Sequence, residues 1–323
     1  MAKKKHLSGI RVLMYLLIVL LVLTAIAACG AFFYLKHMLD GMNRVTMTSD
    51  KEELGITEDV ETSTEVINIA LFGVDTRDFS EDSGRSDSMI VLTIDKKNNK
   101  IKLTSLARDT RVYVEDHGYE KLAHAYAYGG AQLAIRTINS SFGLDIQDYV
   151  TVNFAQLADI IDTIGGVVVN VDQDEADVMN TNYIENEADR VTELGDIRLN
   201  GAQAVAYSRN RYTGSDVDRQ ARQREVLMAL YHETLQKSVL EYPAILEKVL
   251  GMCETTLSSD RIMELGMWAV LGHPQLDQFA LPSAGCDAYG GIMEDGAWYF
   301  VYDLDVASDI LHQYLYEDIK PQE

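Results

Sequence analysis

Arg209, Arg211, Arg219, Arg222 and Arg224 fall within sixteen residues of a chain whose formal charge is −22. Arginine concentrated this tightly in an acidic protein is suited to holding an anion, and its planar fork matches carboxylate or phosphate oxygens. The second half of the stretch reads as a helix start, with Ser215 as N-cap and Asp218 closing a capping box. Arg219, Arg222 and Gln223 then stand at i, i+3 and i+4 on one face of the first turns. Unpaired backbone N–H groups at such a helix start favour the same anion. An exposed charged helix paired with local acids is the other meaning of such a run.

Three more polar clusters sit where apolar segments end. Asp75-Thr76-Arg77 closes one segment and Arg85-Ser86-Asp87-Ser88 opens the next, so both carboxylates can meet at one end of a sheet. Two carboxylates, water and substrate phosphate oxygens suit Mg²⁺. The structural alternative is a turn cap at Asp75 and an ion pair of Asp87 with Arg85. Ser-Leu-Ala-Arg-Asp-Thr-Arg at residues 105–111 ends a third segment and puts Arg108 just past the sheet edge, where open α/β sheets bind ligands. Lys121-Leu122-Ala123-His124 leads into a helix. The sequence carries no phosphate-binding Walker loop, dinucleotide glycine fingerprint, nucleophile elbow or zinc helix. The histidines are scattered without ligand spacing, and His124 reads as structural.

The elements that must position these clusters follow from hydrophobic periodicity. Strands are expected at residues 66–72, 89–94, 100–106, 149–154, 167–171 and 298–302. Helices are expected at 124–141 (interrupted by Gly129-Gly130), 155–164, 216–237, 242–250, 261–271 and 306–315. The second and third strands flank a turn at 96–99 and form a hairpin. Residues 149–171 read as strand, helix and buried strand, a unit that makes part of the sheet parallel. Residues 172–200 are acidic and read as an irregular surface excursion. The class is α/β, a mixed central sheet flanked by helices.

Lys3, Lys4, Lys5 and Arg11 precede an uncharged run at residues 12–35, whose length as a helix, about 36 Å, crosses a bilayer. Residues 36–323 carry 24 basic and 50 acidic side chains, a net −26. Basic residues before the run and acidic chain after it place residues 1–11 in the cytoplasm and the rest outside, as a single-pass cell-membrane protein. Ile26-Ala27-Ala28-Cys29 resembles a lipoprotein cleavage motif, but the apolar run continues through Tyr34 and favours an uncleaved anchor. Residues 36–64 read as a polar linker, 65–317 as the folded domain and 318–323 as a tail. Pairing of Cys253 with Cys286 is left open. A net −26 outside the membrane argues against nucleic acid as a partner.

In this order the clusters resemble the LytR-CpsA-Psr family over residues 65–317. The matching pieces are Gly73-Val74-Asp75-Thr76-Arg77, Arg85-Ser86-Asp87-Ser88-Met89, residues 105–112, Lys121 with Ala125-Tyr126, Ile164-Gly165-Gly166-Val167, Leu199-Asn200-Gly201, and residues 209–223. The resemblance implies an αβα domain with an apolar lipid channel, tethered by one membrane helix. It implies a transferase that moves a teichoic acid or capsule-type polymer from a polyprenyl (undecaprenyl) pyrophosphate carrier to a muramic acid hydroxyl of peptidoglycan. Asp75 and Asp87 would then bind Mg²⁺. Arg77, Arg85, Arg108, Lys121, Arg209, Arg211, Arg219, Arg222 and Gln223 would surround the pyrophosphate. Asp109 or Asp75 would take the acceptor proton, and Arg224 would face solvent. Ala107 and Ala123 depart from the family's usual Pro and Asn. Hydrolysis of the same pyrophosphate, or non-catalytic binding of lipid-linked glycans, are the competing readings.

Overall fold

The computed structural model describes residues 36–37, 39–40, 44–58, 60, 63–76, 84–238 and 241–321. The expected membrane segment and Arg77 lie outside these. Among the described residues no helix is long and apolar enough to cross a membrane. In chain order the strands are β1 (Val66–Val74), β2 (Ser86–Asp95), β3 (Lys100–Leu106), β4 (Arg111–Val114), β5 (Gly118–Lys121), β6 (Asp148–Asn153), β7 (Val167–Val171), β8 (Gly195–Leu199), β9 (Glu254–Thr255), β10 (Gln275–Leu281), β11 (Tyr289–Ile292) and β12 (Trp298–Val301). The helices are α1 (Leu122–Phe142), α2 (Phe154–Ile164), α3 (Gln173–Asn182), α4 (Gly201–Arg209), α5 (Asp216–Leu235), α6 (Tyr242–Met252), α7 (Ser259–Gly272) and α8 (Leu304–Tyr316).

Six strands form the central sheet in the order β10-β3-β2-β1-β6-β9. The β1–β6 and β10–β3 pairs are parallel and the others antiparallel, so the sheet is mixed as expected. β1 is buried along most of its length, which is the pattern of a strand covered on both faces. Ala70, Phe72 and Val74 pack under α1 and α8, against Ile135, Phe142 and Leu311. Ile67 and Ile69 point the other way, towards Leu257 and Leu265 around α7. Strand alternation thus gives each face its own core.

The strand at 167–171 departs from expectation. β7 does not enter the central sheet but pairs antiparallel with β8 in a separate ribbon. Its burial alternates along the strand, with Val168 exposed, whereas a central parallel strand is buried on both sides. The acidic stretch at 172–200 is also more regular than its composition suggests. Asp172 and Glu175 form a capping box that starts α3, and Met179, Ile184 and Val191 reach the ribbon's core. Residues 36–64 are not all linker, because Leu54 and Ile56 are buried and Arg136 donates to the Glu52 and Glu53 carbonyls at 2.8 and 2.9 Å. Cys253 and Cys286 are buried, free and in different clusters, so they do not pair.

A fully buried ion pair ties the sheet to the last helix. Lys102 Nζ lies 2.8 Å from Asp95 Oδ2 and donates to the carbonyls of Tyr314 and Leu315, which end α8. Burial favours the protonated acid at Asp95, yet hydrogen bonds from Lys102 and Asn98 prevail and hold it below the usual carboxylate range. A depressed folded-state value stabilises the protein above the unfolded value of 3.8, and that contribution is lost as pH falls through the folded one. Lys102→Met strands the carboxylate, and urea unfolding at pH 7 is expected to show a loss of about 3–5 kcal/mol. The gap to wild type should narrow below pH 4, where Asp95 is neutral in the unfolded chain; a gap independent of pH would contradict this role.

Candidate active site

The candidate site residues meet at one end of the central sheet. β1 and β2 pair in register until Gly73 faces Ser88, after which Val74 faces Ser86. Asp87 is the extra residue of this bulge, a device that re-aims a side chain at a sheet end. Gly73 is needed there, since a Cβ would come within 2.9 Å of Ser88 Cβ. Asp75 follows directly, exposed, its N–H donating to the Arg85 carbonyl at 3.2 Å. Both carboxylates therefore leave the same end of the same strand pair.

The turn after β3 supplies Arg108 and Asp109. It is pinned from three sides: Ala107 N–H donates to the Leu281 carbonyl, Phe300 N–H to the Asp109 carbonyl, and Ala123 N–H, at the start of α1, to the Arg108 carbonyl. Arg108 Nη1 donates to Asp87 Oδ1, and its Nε lies 3.4 Å from Asp109 Oδ2 and 4.0 Å from Asp216 Oδ1. Burial alone would lower the Arg108 pKa, but Asp87, Asp109 and Asp216 together raise it above the ordinary arginine value. Lys121, the last residue of β5, places Nζ 2.7 Å from Asp109 Oδ1. Arg211 places Nη2 3.1 Å from Asp87 Oδ2.

The capping box of Ser215 and Asp218 starts α5, as the sequence predicts. One turn in, Arg219 is only 2% exposed. Its Nη2 lies 2.6 Å from Asp216 Oδ1, but at an angle that leaves both Nε and Nη2 without a hydrogen bond among the described residues. Arg108 Nε and Asn210 Nδ2 are in the same position. Burial pulls the Arg219 pKa below the arginine value, opposed by Asp216 and Asp87 and assisted by Arg108 and Arg211. Buried donors without acceptors are costly, and several converging on one place suit an oxygen-rich anion.

Beside the cluster opens an apolar cavity of about 200 Å³ between the central sheet and α2, α5 and α6. Leu71, Val150, Leu157, Val226, Leu230 and Val249 line its body, while Ser88, Asn153, Ser208 and Gln223 line it with polar groups. Gln223 is one helical turn from Arg219, and Ser88 follows Asp87, so the polar cluster sits at the cavity's rim. Arg209 stacks 4.4 Å over Phe154, which lines the same cavity. For a metal, no three His, Cys, Asp or Glu side chains gather among the described residues. The Asp75–Asp87 pair nevertheless fits Mg²⁺ by donor chemistry. Each Asp87 oxygen accepts one arginine N–H and keeps a lone pair, and with Mg²⁺ bound, phosphate oxygens and water would supply the remaining ligands.

The LytR_cpsA_psr family model matches residues 31–314. The chain belongs to the LytR_cpsA_psr family. A relative from Enterococcus faecalis, named polyisoprenyl-teichoic acid–peptidoglycan teichoic acid transferase TagU, is 32% identical over 87% of this chain and 88% of its own length. A Streptococcus agalactiae protein of solved structure is 30% identical and superposes with a TM-score of 0.67, over 80% of this chain and 90% of that one. Bacillus subtilis TagT with bound octaprenyl pyrophosphate is 22% identical and shares the fold at a TM-score of 0.63, over 84% of this chain and 99% of that one.

In this LytR_cpsA_psr chain the residues proposed from sequence divide into groups. Asp87, Arg108, Asp109, Lys121, Arg211 and Arg219 are brought together; Asp75 adjoins them and Gln223 and Arg209 mark the cavity rim. Arg85 is exposed at the start of β2, and Arg77 lies outside the described residues. Arg222 turns elsewhere: its Nε lies 2.7 Å from Glu175 Oε1 and its Nη atoms donate to Asn210 and Thr213. Arg224 does not face solvent. It is 7% exposed and donates to Gln278 Oε1 and Ser105 Oγ, with burial pushing its pKa down to about 10. At 140° from Arg219 on the helical wheel, by 100° per residue, it meets the sheet rather than the site. Sequence reading missed Asp216, whose i, i+3 spacing to Arg219 was the available signal.

Arg219→Met tests the anion site. Replacing a buried, half-bonded cation with a methionine is expected to leave ligand-free stability unchanged or higher by about 1–2 kcal/mol. Wild-type protein should melt at higher temperature with added inorganic pyrophosphate, and Arg219→Met should lose that shift. An equal shift in both proteins would remove Arg219 from the anion site.

Proposed function

We propose that this protein is a transferase that moves a teichoic acid-type glycopolymer from a polyprenyl pyrophosphate carrier to a peptidoglycan hydroxyl. The observation that carries the reading is the join between two unlike sites. Guanidinium donors without partners among the described residues converge at the rim of an apolar cavity, matching a ligand with a pyrophosphate head and a hydrocarbon tail. The name borne by the TagU relatives supports the polymer and acceptor. The apolar run at residues 12–35 would keep the domain beside the membrane that holds such a carrier.

In this reading Arg108, Arg211 and Arg219 hold the pyrophosphate oxygens and spread the charge that develops on them. Asp109 takes the proton of the acceptor hydroxyl, its carboxylate oriented by Lys121 Nζ at 2.7 Å. The acceptor oxygen forms a bond to the sugar-bearing phosphorus as the bond to the bridging oxygen breaks. The lipid monophosphate leaves with that oxygen and the electron pair, and the polymer stays on the acceptor through a phosphodiester. Phosphoryl transfer of this kind needs positioning and charge neutralisation more than covalent help from the protein. Asp75 and Asp87 would hold Mg²⁺, which supplies further neutralisation of phosphate charge.

The full-length protein, Mg²⁺, a polyprenyl pyrophosphate-linked sugar and peptidoglycan oligomers should yield a new phosphodiester by mass spectrometry. Arg108→Ala should lower its rate at least about 100-fold. Free sugar phosphate without adduct would identify a hydrolase instead, and lipid binding without turnover a binding protein. Asp75→Ala and Asp87→Ala should each abolish the Mg²⁺-dependent part of the rate; equal wild-type rates with and without chelator would sink the metal assignment.

A further inference from the structure

The route by which the second substrate enters can be read from the order of contacts around Arg108, taking the transferase reading as its basis. Starting at the cavity rim, Ser88 adjoins Asp87, Asp87 binds Arg108, Arg108 adjoins Asp109, and Asp109 binds Lys121. Lys121 closes the β4–β5 ribbon, where it pairs with Arg111, while Tyr113 pairs with Tyr119. Val112 and Val114 turn into the core, so Arg111, Tyr113, Tyr119 and Lys121 share the opposite face. Both tyrosines are 59% exposed, and their rings meet edge to face at 5.9 Å. Arg111 lies 4.2 Å over the Tyr119 ring and holds it in place.

In-line displacement sets the attacking oxygen opposite the leaving one. The lipid phosphate leaves towards the apolar cavity, so the acceptor must approach from the Lys121 side. We propose that the outer face of the β4–β5 ribbon binds the acceptor glycan strand, with Tyr113 and Tyr119 as stacking platforms for sugar rings beyond the reacting one. From Lys121 to Tyr119 is about 7 Å along the strand, so these rings begin one step outside the reacting centre. Exposed tyrosines offer an apolar face for the C–H side of a pyranose and a hydroxyl for its polar edge. Arg111 and Lys121 add two cations in a chain otherwise rich in acid, which suits a glycan bearing carboxylates.

The test uses full-length protein and defined peptidoglycan oligomers of alternating N-acetylglucosamine and N-acetylmuramic acid. Isothermal titration should show oligomer affinity falling about tenfold or more in Tyr113→Ala/Tyr119→Ala, with phenylalanine at both positions recovering most of it. Polyprenyl pyrophosphate affinity and the melting temperature should stay at wild-type values. In turnover, the double variant should raise KM for the oligomer and leave KM for the lipid donor unchanged. Tyr212→Ala is the control away from the ribbon, because Tyr212 is a 70% exposed tyrosine next to Arg211. Unchanged oligomer affinity in the double variant, or an equal loss in Tyr212→Ala, overturns the ribbon assignment. If wild type binds oligomers through the tyrosines yet forms no phosphodiester, the ribbon stands as a glycan site and the transferase reading fails.

Discussion

The structure is built around the cost of keeping arginine out of water at the start of α5. A guanidinium 2% exposed must be paired or neutralised by something, and among the described residues Arg219 pairs with a poorly angled carboxylate on its own helical turn. Several features of the fold answer to that cost. The capping box of Ser215 and Asp218 sets where the helix begins, and therefore where Arg219 sits. The bulge in β2 turns Asp87 towards the same point. The Nε and Nη2 donors of Arg219 and the Nε of Arg108, unmet among the described residues, suit a ligand that is compact, anionic and rich in oxygen.

α5 also joins the two parts of the domain. On one side Arg222 ties it to Glu175 of α3 and to the carbonyls of Asn210 and Thr213. On another, Arg224 reaches Ser105 and Gln278 on the central sheet. Between them, Gln223, Val226 and Leu230 line the apolar cavity. One helix therefore carries the buried arginine of the candidate site, the cavity wall and the bracing that holds β7–β8 against the sheet. Preorganisation of this kind supports catalysis by charge stabilisation, because donors fixed by packing do not reorganise during the reaction.

The division between reacting groups and bracing groups was only partly legible. The family match spans residues 31–314, and ordered charged clusters at strand ends pointed to the same region. Asp87, Arg108, Asp109, Lys121, Arg211 and Arg219 converge because each ends or begins an element at one sheet edge. Arg222 shares the expected site face with Arg219 and Arg224 was expected to face solvent, yet one holds a buried glutamate and the other a serine and a glutamine. Helical phase separates them, but which phase faces which neighbour depends on what packs against the helix. The β4–β5 ribbon leaves no comparable signal, because strands of four residues have little periodicity to read.

By itself the sequence determined the capping of α5, the β2–β3 hairpin and the course of the long helices and most central strands, because these rest on local patterns of apolar spacing, caps and charge. Tertiary structure alone decided that β7 leaves the central sheet for a ribbon with β8, since strand partners compete over long separations and alternation in burial is known only after packing. It alone decided that Asp87 pairs with Arg108 and Arg211 rather than with Arg85 two residues away. Successive strand residues point to opposite faces, and a bulge shifts that count by one, so where a charge lands at a sheet end follows from the register of the whole ladder.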